Sequence, residues 1–340
     1  MALDIRRLPK LDLHVHLDGS LRMETVVELA EALPRDRRLP PSIDVRGAVT
    51  PPRRCTLETY LESFAVTVAV LQDALALERA AYELCEDAAR EHVIYLEIRF
   101  APLLHLSGGL SSDDVVVAVL NGIRRAEETV PIRASVIVCG MKQASPARTK
   151  EAARLAARFH DNGVVGFDLA GPERGFPPSN HREAVNLARD AGLHVTIHAG
   201  EGCCPEQIGE ALDMGAERIG HGVYLAEDPA LEERVSEAGI PLEVCPTSNL
   251  QISGILDAYR DHPLYRYLNL GIPITLNTDN RLMTRIDLTH EYERVIEAGN
   301  LSADQVKTLL LNGVNAAFAP PRIKDALRSS VLEGLDPATE

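Results

Sequence analysis

Eight short runs of aliphatic and β-branched residues recur along this chain, separated by longer helix-like stretches. They fall near 11–16, 93–100, 132–139 and 164–169 in the first half, and near 193–198, 217–221, 241–246 and 272–278 in the second. Several are apolar almost throughout, the pattern of strands buried on both faces of a parallel sheet. Strong helix formers lie between them, as in 147–160 with its Ala, Leu and Arg residues. Ser179 ahead of 181–191, with Gly192 behind, reads as a capped helix with a glycine stop. Gly215, Gly239 and Gly271 close other helical stretches just before a strand. Eight strand–helix repeats predict an α/β fold, a (β/α)8 TIM barrel.

The length suits one barrel domain, residues 1–340, with material to spare. The surplus follows the first strand, where about 76 residues precede the second. We expect a helical insertion over the barrel top, about 21–90, with helical patterns at 21–32 and 56–90. Between these, 34–54 carries Pro34, Pro40, Pro41, Pro51 and Pro52 among several arginines and reads as an exposed loop.

Charge narrows the partners. The 35 Lys and Arg against 50 Asp and Glu leave a net charge of -15. Such a balance argues against nucleic acid, which is bound through basic side chains, and against an anionic membrane surface. No apolar run approaches the ~20 residues that span a bilayer. The opening residues MALDIRRLPK contain no apolar secretory core. The six cysteines show no paired C-x2-C hooks, so a reducing, cytoplasmic setting is expected. Cys203 and Cys204 read as small core residues. The sequence does not fix the oligomeric state.

The polar residues that interrupt the apolar runs collect at strand C-terminal ends, where the active sites of such barrels lie. The first strand ends in His14-Val15-His16, the fifth in His198 followed by Ala199-Gly200-Glu201, the sixth in His221 and the eighth in Asp279-Asn280. Residues i and i+2 of a strand share a face, so His14 and His16 can both point inward at one ion. His198 and Asp279 would complete an N3O ligand set that suits Zn2+ with one position open for water. Each residue alone has an ordinary reading: a structural histidine, a turn aspartate in Thr278-Asp279-Asn280, a carboxylate at a helix start for Glu201. The full set makes the metal site the better reading. The remaining histidines, His92, His105, His160, His181, His194, His262 and His290, read as solvated or structural. A second, bridged metal is disfavoured, because none of Lys10, Lys142, Lys150, Lys307 and Lys324 lies near Phe167-Asp168-Leu169 in sequence.

With these residues assembled, the chain resembles the adenosine deaminase family of the amidohydrolase superfamily. The matching segments run from Pro9 to Ser20, then Asp168 to Glu173, His198 to Glu201, Gly220 to Gly222, Cys245 to Asn249 and Asn277 to Asp279. The H-x-E and P-C-x-x-C signature of cytidine-type deaminases is absent. The resemblance implies one zinc held by His14, His16, His198 and Asp279. Glu201 would be the acid that protonates purine N1. His221 would take a proton from the attacking water or steady it electrostatically, and Asp279 would orient that water. His16 would also lie against the substrate. Gly171 would offer a backbone donor to purine N3, and Asp18 would bond the ribose 5′-hydroxyl.

Leu57, Tyr60, Leu61 and Phe64 are spaced along one helix face; by the same resemblance they form an apolar gate over the ribose. Many relatives carry a second Asp where this chain has Asn280. A neutral amide can donate to purine N7 directly, whereas a carboxyl must first be protonated. The implied reaction is zinc-dependent hydrolytic deamination of adenosine, and of 2′-deoxyadenosine, to inosine or deoxyinosine plus ammonia. The partner is thus a small-molecule purine nucleoside. Adenine and a larger nucleoside such as aminodeoxyfutalosine are the alternative substrates.

Overall fold

The computed structural model describes residues 3–37, 39–40, 42–252 and 256–336. Its strands are β1 (Lys10–His16), β2 (Val93–Phe100), β3 (Arg133–Met141), β4 (Val164–Ala170), β5 (His194–Ala199), β6 (Arg218–His221), β7 (Leu242–Val244) and β8 (Ile274–Leu276). They form one eight-stranded sheet in sequence order, every neighbouring pair parallel. A bridge between Val15 and Asp279 brings the last strand back to the first. There the Asp279 amide donates to the His14 carbonyl at 2.9 Å and the His16 amide to the Asp279 carbonyl at 2.8 Å. The sheet thus nearly closes into the expected (β/α)8 barrel, and the closing bonds belong to the chain segments that carry the site.

The two last strands are shorter than their apolar runs. Pro241 and Pro246 flank β7, and neither can donate to a ladder. Pro246 opens the helix Pro246–Ile252 instead. After β8, the Asn277 side chain takes over, accepting from the Leu13 amide at 2.9 Å.

The helix expected over 181–191 starts differently. Pro178–His181 forms a 3-10 turn and the α-helix runs Arg182–Asp190, with no side-chain cap from Ser179. The Ser179 amide is instead taken by Glu210 at 3.1 Å. Gly192 does stop the helix, with a φ of 85°.

The insertion after β1 contains helices Met23–Ala32, Val45–Ala48, Leu57–Leu61, Phe64–Val70 and Ala74–Arg90. The segment 34–54 is more ordered than an exposed loop: it includes Val45–Ala48 and a 3-10 turn at Arg35–Arg37. Val49 and Pro51 are buried there, because an apolar residue in a proline-rich stretch still gains by leaving water. Arg38 and Pro41 lie outside the described residues. Ala74–Arg90 packs on Ser112–Thr129 so closely that a Cβ on Gly122 would lie 2.2 Å from the Glu78 carbonyl oxygen. Among the described residues no helix is long and apolar enough to cross a membrane.

Candidate active site

The C-terminal ends of the strands surround a cavity with about 790 Å³ of empty space, part of it open to solvent. That is a size typical of small-molecule sites. His16, Asp18, Gly171, His198, Glu201, His221, Asp279 and Asn280 line it, together with Leu57, Tyr60, Leu61 and Phe64. Every residue singled out from the sequence therefore reaches one cavity, except His14, which is fully buried and set against it.

Three imidazoles converge. His14 donates from Nδ1 to Glu243 at 2.8 Å, and His198 Nδ1 lies 2.9 Å from an Asp168 carboxylate oxygen. An ionised carboxylate only accepts, so both rings carry their proton on Nδ1 and turn an Nε2 lone pair inward. His14 Nε2 is buried with no hydrogen-bond partner. His16 Nε2 and His198 Nε2 stand 3.1 Å apart. Asp279 Oδ1 lies 3.3 Å from His16 Nε2 and 3.6 Å from His14 Nε2. Imidazole lone pairs facing one another beside a carboxylate suit a cation better than they suit each other, so the residues present fit a divalent metal. Among the described residues three overlapping groups could hold an ion here: His14, His16 and Asp279; His14, His198 and His221; and Glu201, His221 and Asp279.

One arginine braces both orienting carboxylates. Arg99, fully buried on β2, reaches Asp168 at 3.1 Å and Glu243 at 2.8 Å. Burial alone would raise the Asp168 pKa; contact with His198 and the Arg99 guanidinium overcomes it and holds the carboxyl well below the usual range. The backbone also bends to place the donors. His221 and Asp279 both take positive φ, 68° and 61°, conformations that cost non-glycine residues energy and often mark functional sites. Ser248 on the helix Pro246–Ile252 donates to Asp279 Oδ2 at 2.5 Å, and Asn249 meets His221 Nδ1 at 3.0 Å.

Glu201 stands across the cluster, its Oε1 3.4 Å from His221 Nε2. Its loop is pinned by Glu173, which accepts the backbone N–H of Glu201 and, at 2.9 Å each, those of Gly202 and Cys203. Burial, then the nearby charges of Asp279 and Glu173, push the Glu201 pKa well above an ordinary carboxyl. At the other side of the cavity, Asp18 is raised to about 7 by burial. Its Oδ1 has no partner, and His105 Nε2 lies 3.9 Å from its Oδ2. Gly171 has a φ of 99°, and a Cβ there would strike Gln143 at 2.3 Å. Asn280 is equally confined: a Cβ on Gly19 would sit 1.9 Å from Asn280 Oδ1. The gate stripe is split between two helices, since Leu57–Leu61 ends before Phe64–Val70 begins. All four side chains still face the cavity.

Several contributors escaped the sequence reading. Arg99, Glu243 and the orienting role of Asp168 were detectable only as charges inside apolar strands. Glu173, Ser248 and Asn249 stood in matching segments without a role. His105 and His262, read as solvated or structural, lie buried beside Asp18 and Asn249. Lys142, distant from strand four in sequence, adjoins its end: its amide bonds the Ala170 carbonyl at 2.8 Å. Its ammonium bonds the His198 carbonyl at 3.1 Å and lies 3.7 Å from Glu173. Cys203 and Cys204 are paired as a disulfide between adjacent residues, not simply small core residues; neither is among the groups that can hold an ion.

Comparison with known proteins agrees with this geometry. The family model described as adenosine deaminase matches residues 9–334. An adenosine deaminase from Clostridium perfringens is 40% identical over 332 residues, 97% of this chain and 100% of the relative. A crystal structure of adenine deaminase from Arthrobacter aurescens superposes with a TM-score of 0.88 at 28% identity, covering 96% of this chain and 98% of that one. A Zn-bound amidohydrolase from Burkholderia ambifaria does so with a TM-score of 0.86 at 26% identity, covering 98% and 92%. From the near-closed barrel to the strand-end histidines, the match runs through the whole framework that builds the cavity, and the chain belongs to the adenosine deaminase family.

Proposed function

We propose that this chain is a zinc-dependent aminohydrolase that converts adenosine, and 2′-deoxyadenosine, to inosine or deoxyinosine and ammonia. The observation that carries the reading is a buried carboxyl, Glu201, facing a three-imidazole and carboxylate cluster across one small-molecule cavity. His14, His16, His198 and Asp279 would hold one ion, and the His3Asp donor set favours zinc. When bound, zinc supplies Lewis acidity that makes water nucleophilic near neutral pH.

The chain's own residues do the rest. Purine C6 is a poor electrophile until the ring nitrogen beside it is protonated. Glu201 holds a proton because it is buried beside the carboxylates of Asp279 and Glu173, and it gives that proton to N1. Water oxygen then bonds to C6 as one of its protons passes to His221 or Asp279; its other proton goes to the amino nitrogen as the C6–N bond breaks, so ammonia leaves and C6 keeps a carbonyl beside the protonated N1. The first proton returns to Glu201. Asp279, fixed by Ser248, orients the incoming water. His221 stands beside Glu201 as the group that takes its proton or steadies it. The Gly171 backbone and the Asn280 amide anchor N3 and N7. Asp18 binds the ribose 5′-hydroxyl, and Leu57, Tyr60, Leu61 and Phe64 keep bulk water out.

A nucleoside is favoured over free adenine by Asp18, whose buried, unpartnered oxygen is suited to bonding a hydroxyl beyond the base. The free thiols of Cys55, Cys85, Cys139 and Cys245 support a cytoplasmic setting, with the vicinal pair as the exception. A substrate panel decides the matter. We expect kcat/KM for adenosine to exceed that for adenine, AMP and aminodeoxyfutalosine, and metal analysis to give one zinc per chain. A higher kcat/KM for adenine would transfer the same chemistry to the free base.

A further inference from the structure

A chain of buried hydrogen bonds leads from an unambiguous donor to His221. The helix Leu264–Asn269 begins after Pro263, and its first residue, Leu264, has an amide N–H with no earlier carbonyl to bond within the helix. That N–H donates to His262 Nδ1 at 3.0 Å. An imidazole nitrogen that accepts carries no proton, so His262 must carry its proton on Nε2. A doubly protonated ring would set N–H against N–H. His262 Nε2 lies 3.2 Å from Asn249 Oδ1, so it donates there.

This bond settles the orientation of the Asn249 amide, because a reversed amide would turn NH2 toward the His262 N–H. Asn249 Nδ2 therefore faces His221 Nδ1, 3.0 Å away, and an amide nitrogen can only donate. His221 Nδ1 accepts, and the proton of the neutral ring sits on Nε2, the atom nearest Glu201. All three side chains are buried, so water does not substitute for a missing partner.

We infer that Asn249 and His262 are positioning residues that lock His221 in the Nε2–H tautomer, making it a fixed hydrogen-bond donor and not a proton acceptor. The inference rests on the proposed catalytic role of His221. To accept a proton at Nε2, the ring would need its lone pair there and its proton on Nδ1, opposite the Asn249 NH2. Two buried donors would then oppose each other at 3.0 Å. His221 accordingly donates its Nε2–H to the oxygen of the attacking water, and the proton that this water loses passes to the carboxylate of Asp279, which adjoins His221.

The test is long-range 1H–15N NMR of the zinc-loaded, 15N-histidine-labelled enzyme without substrate, with the His221 ring identified by its loss in His221→Gln. We expect the proton on Nε2 in the wild type. In Asn249→Asp, whose carboxylate only accepts, it should move to Nδ1, with kcat falling about 100-fold, the scale of losing one oriented donor, and KM little changed. His262→Phe, which frees the amide to turn over, should give a mixture of tautomers and a smaller fall. A wild-type proton on Nδ1 would overturn the inference, as would wild-type kcat in Asn249→Asp. If that variant does not fold, the wild-type spectrum still decides. The spectrum is independent of substrate, so a different preferred purine leaves the tautomer standing. Intact turnover in His221→Gln would instead remove the catalytic role on which it rests.

Discussion

The barrel interior holds two regions with the same burial and different bonding. In the lower one, each charged side chain has an ionic partner, although Arg99 Nε and Arg218 Nε complete no hydrogen bond of their own. Arg218 reaches Glu97 and Glu243 at 2.6 Å each, and Thr196 donates to Glu243 at 2.9 Å. Arg99 spans Glu243 and Asp168. At the mouth, His14 Nε2, Asp18 Oδ1, His221 Nε2 and Asn280 Oδ1 are buried without hydrogen-bond partners. An unmatched buried polar atom costs about 1–3 kcal/mol, a cost that structure alone does not justify. The contrast distinguishes charges paired within the barrel from polar atoms left free at its mouth, which burial by itself does not do.

The largest expected effect tests the mouth. Glu201→Gln keeps the shape and removes the acid, so kcat should fall about 1,000-fold while zinc content and Tm stay near wild type. Near-normal turnover would break the assignment of Glu201. Arg99→Met tests the paired region. It leaves Asp168 and Glu243 as buried anions without their shared cation, and should cost about 3–5 kcal/mol in urea unfolding. If stability were unchanged and only kcat fell, Arg99 would belong with the mouth.

Lys10 sharpens the comparison through pH. At the start of β1 its ammonium donates to the carbonyls of Ile5 and Leu8 at 2.8 Å each, yet burial lowers its pKa to about 8. Below that pH both folded and unfolded chains carry the proton, and the fold bears the penalty of a buried charge. Between pH 8 and 10.5 the unfolded chain binds more protons than the folded one, so unfolding free energy rises with pH, by up to about 3 kcal/mol. Lys10→Met should flatten that rise; an unaltered pH profile would refute it. The smallest effect is at the gate. Leu61→Ala, at a half-buried position, should raise KM about fivefold, near 1 kcal/mol, with kcat preserved; a matching loss of kcat would mean that Leu61 does more than cover the site.

Much of this was legible in the chain. Strand and helix periods are local, so the eight runs mark eight strands, and the polar residues at their ends mark the side that carries the chemistry. His14 and His16 sit one strand period apart and could be read as a pair. Boundaries were less legible where proline or a side chain replaced a ladder bond, as around β7 and Asn277. The four residues of the apolar stripe do line the cavity, but their spacing hid the break between Leu61 and Phe64, because two short helices in line share the spacing of one.

By itself the sequence determined the barrel, the helical stretch between the first two strands and the polar residues at the strand ends, since each follows from spacing along one strand or one helix. Tertiary structure alone decided how those residues are held. Arg99 on β2 acts between Asp168 on β4 and Glu243 on β7, Lys142 reaches the end of a strand that is not its own, and His262 acts on His221 through Asn249. Such contacts cross from one element to another. No periodicity along the chain records them, because the partner of a buried polar atom is set by the packing that removes it from water.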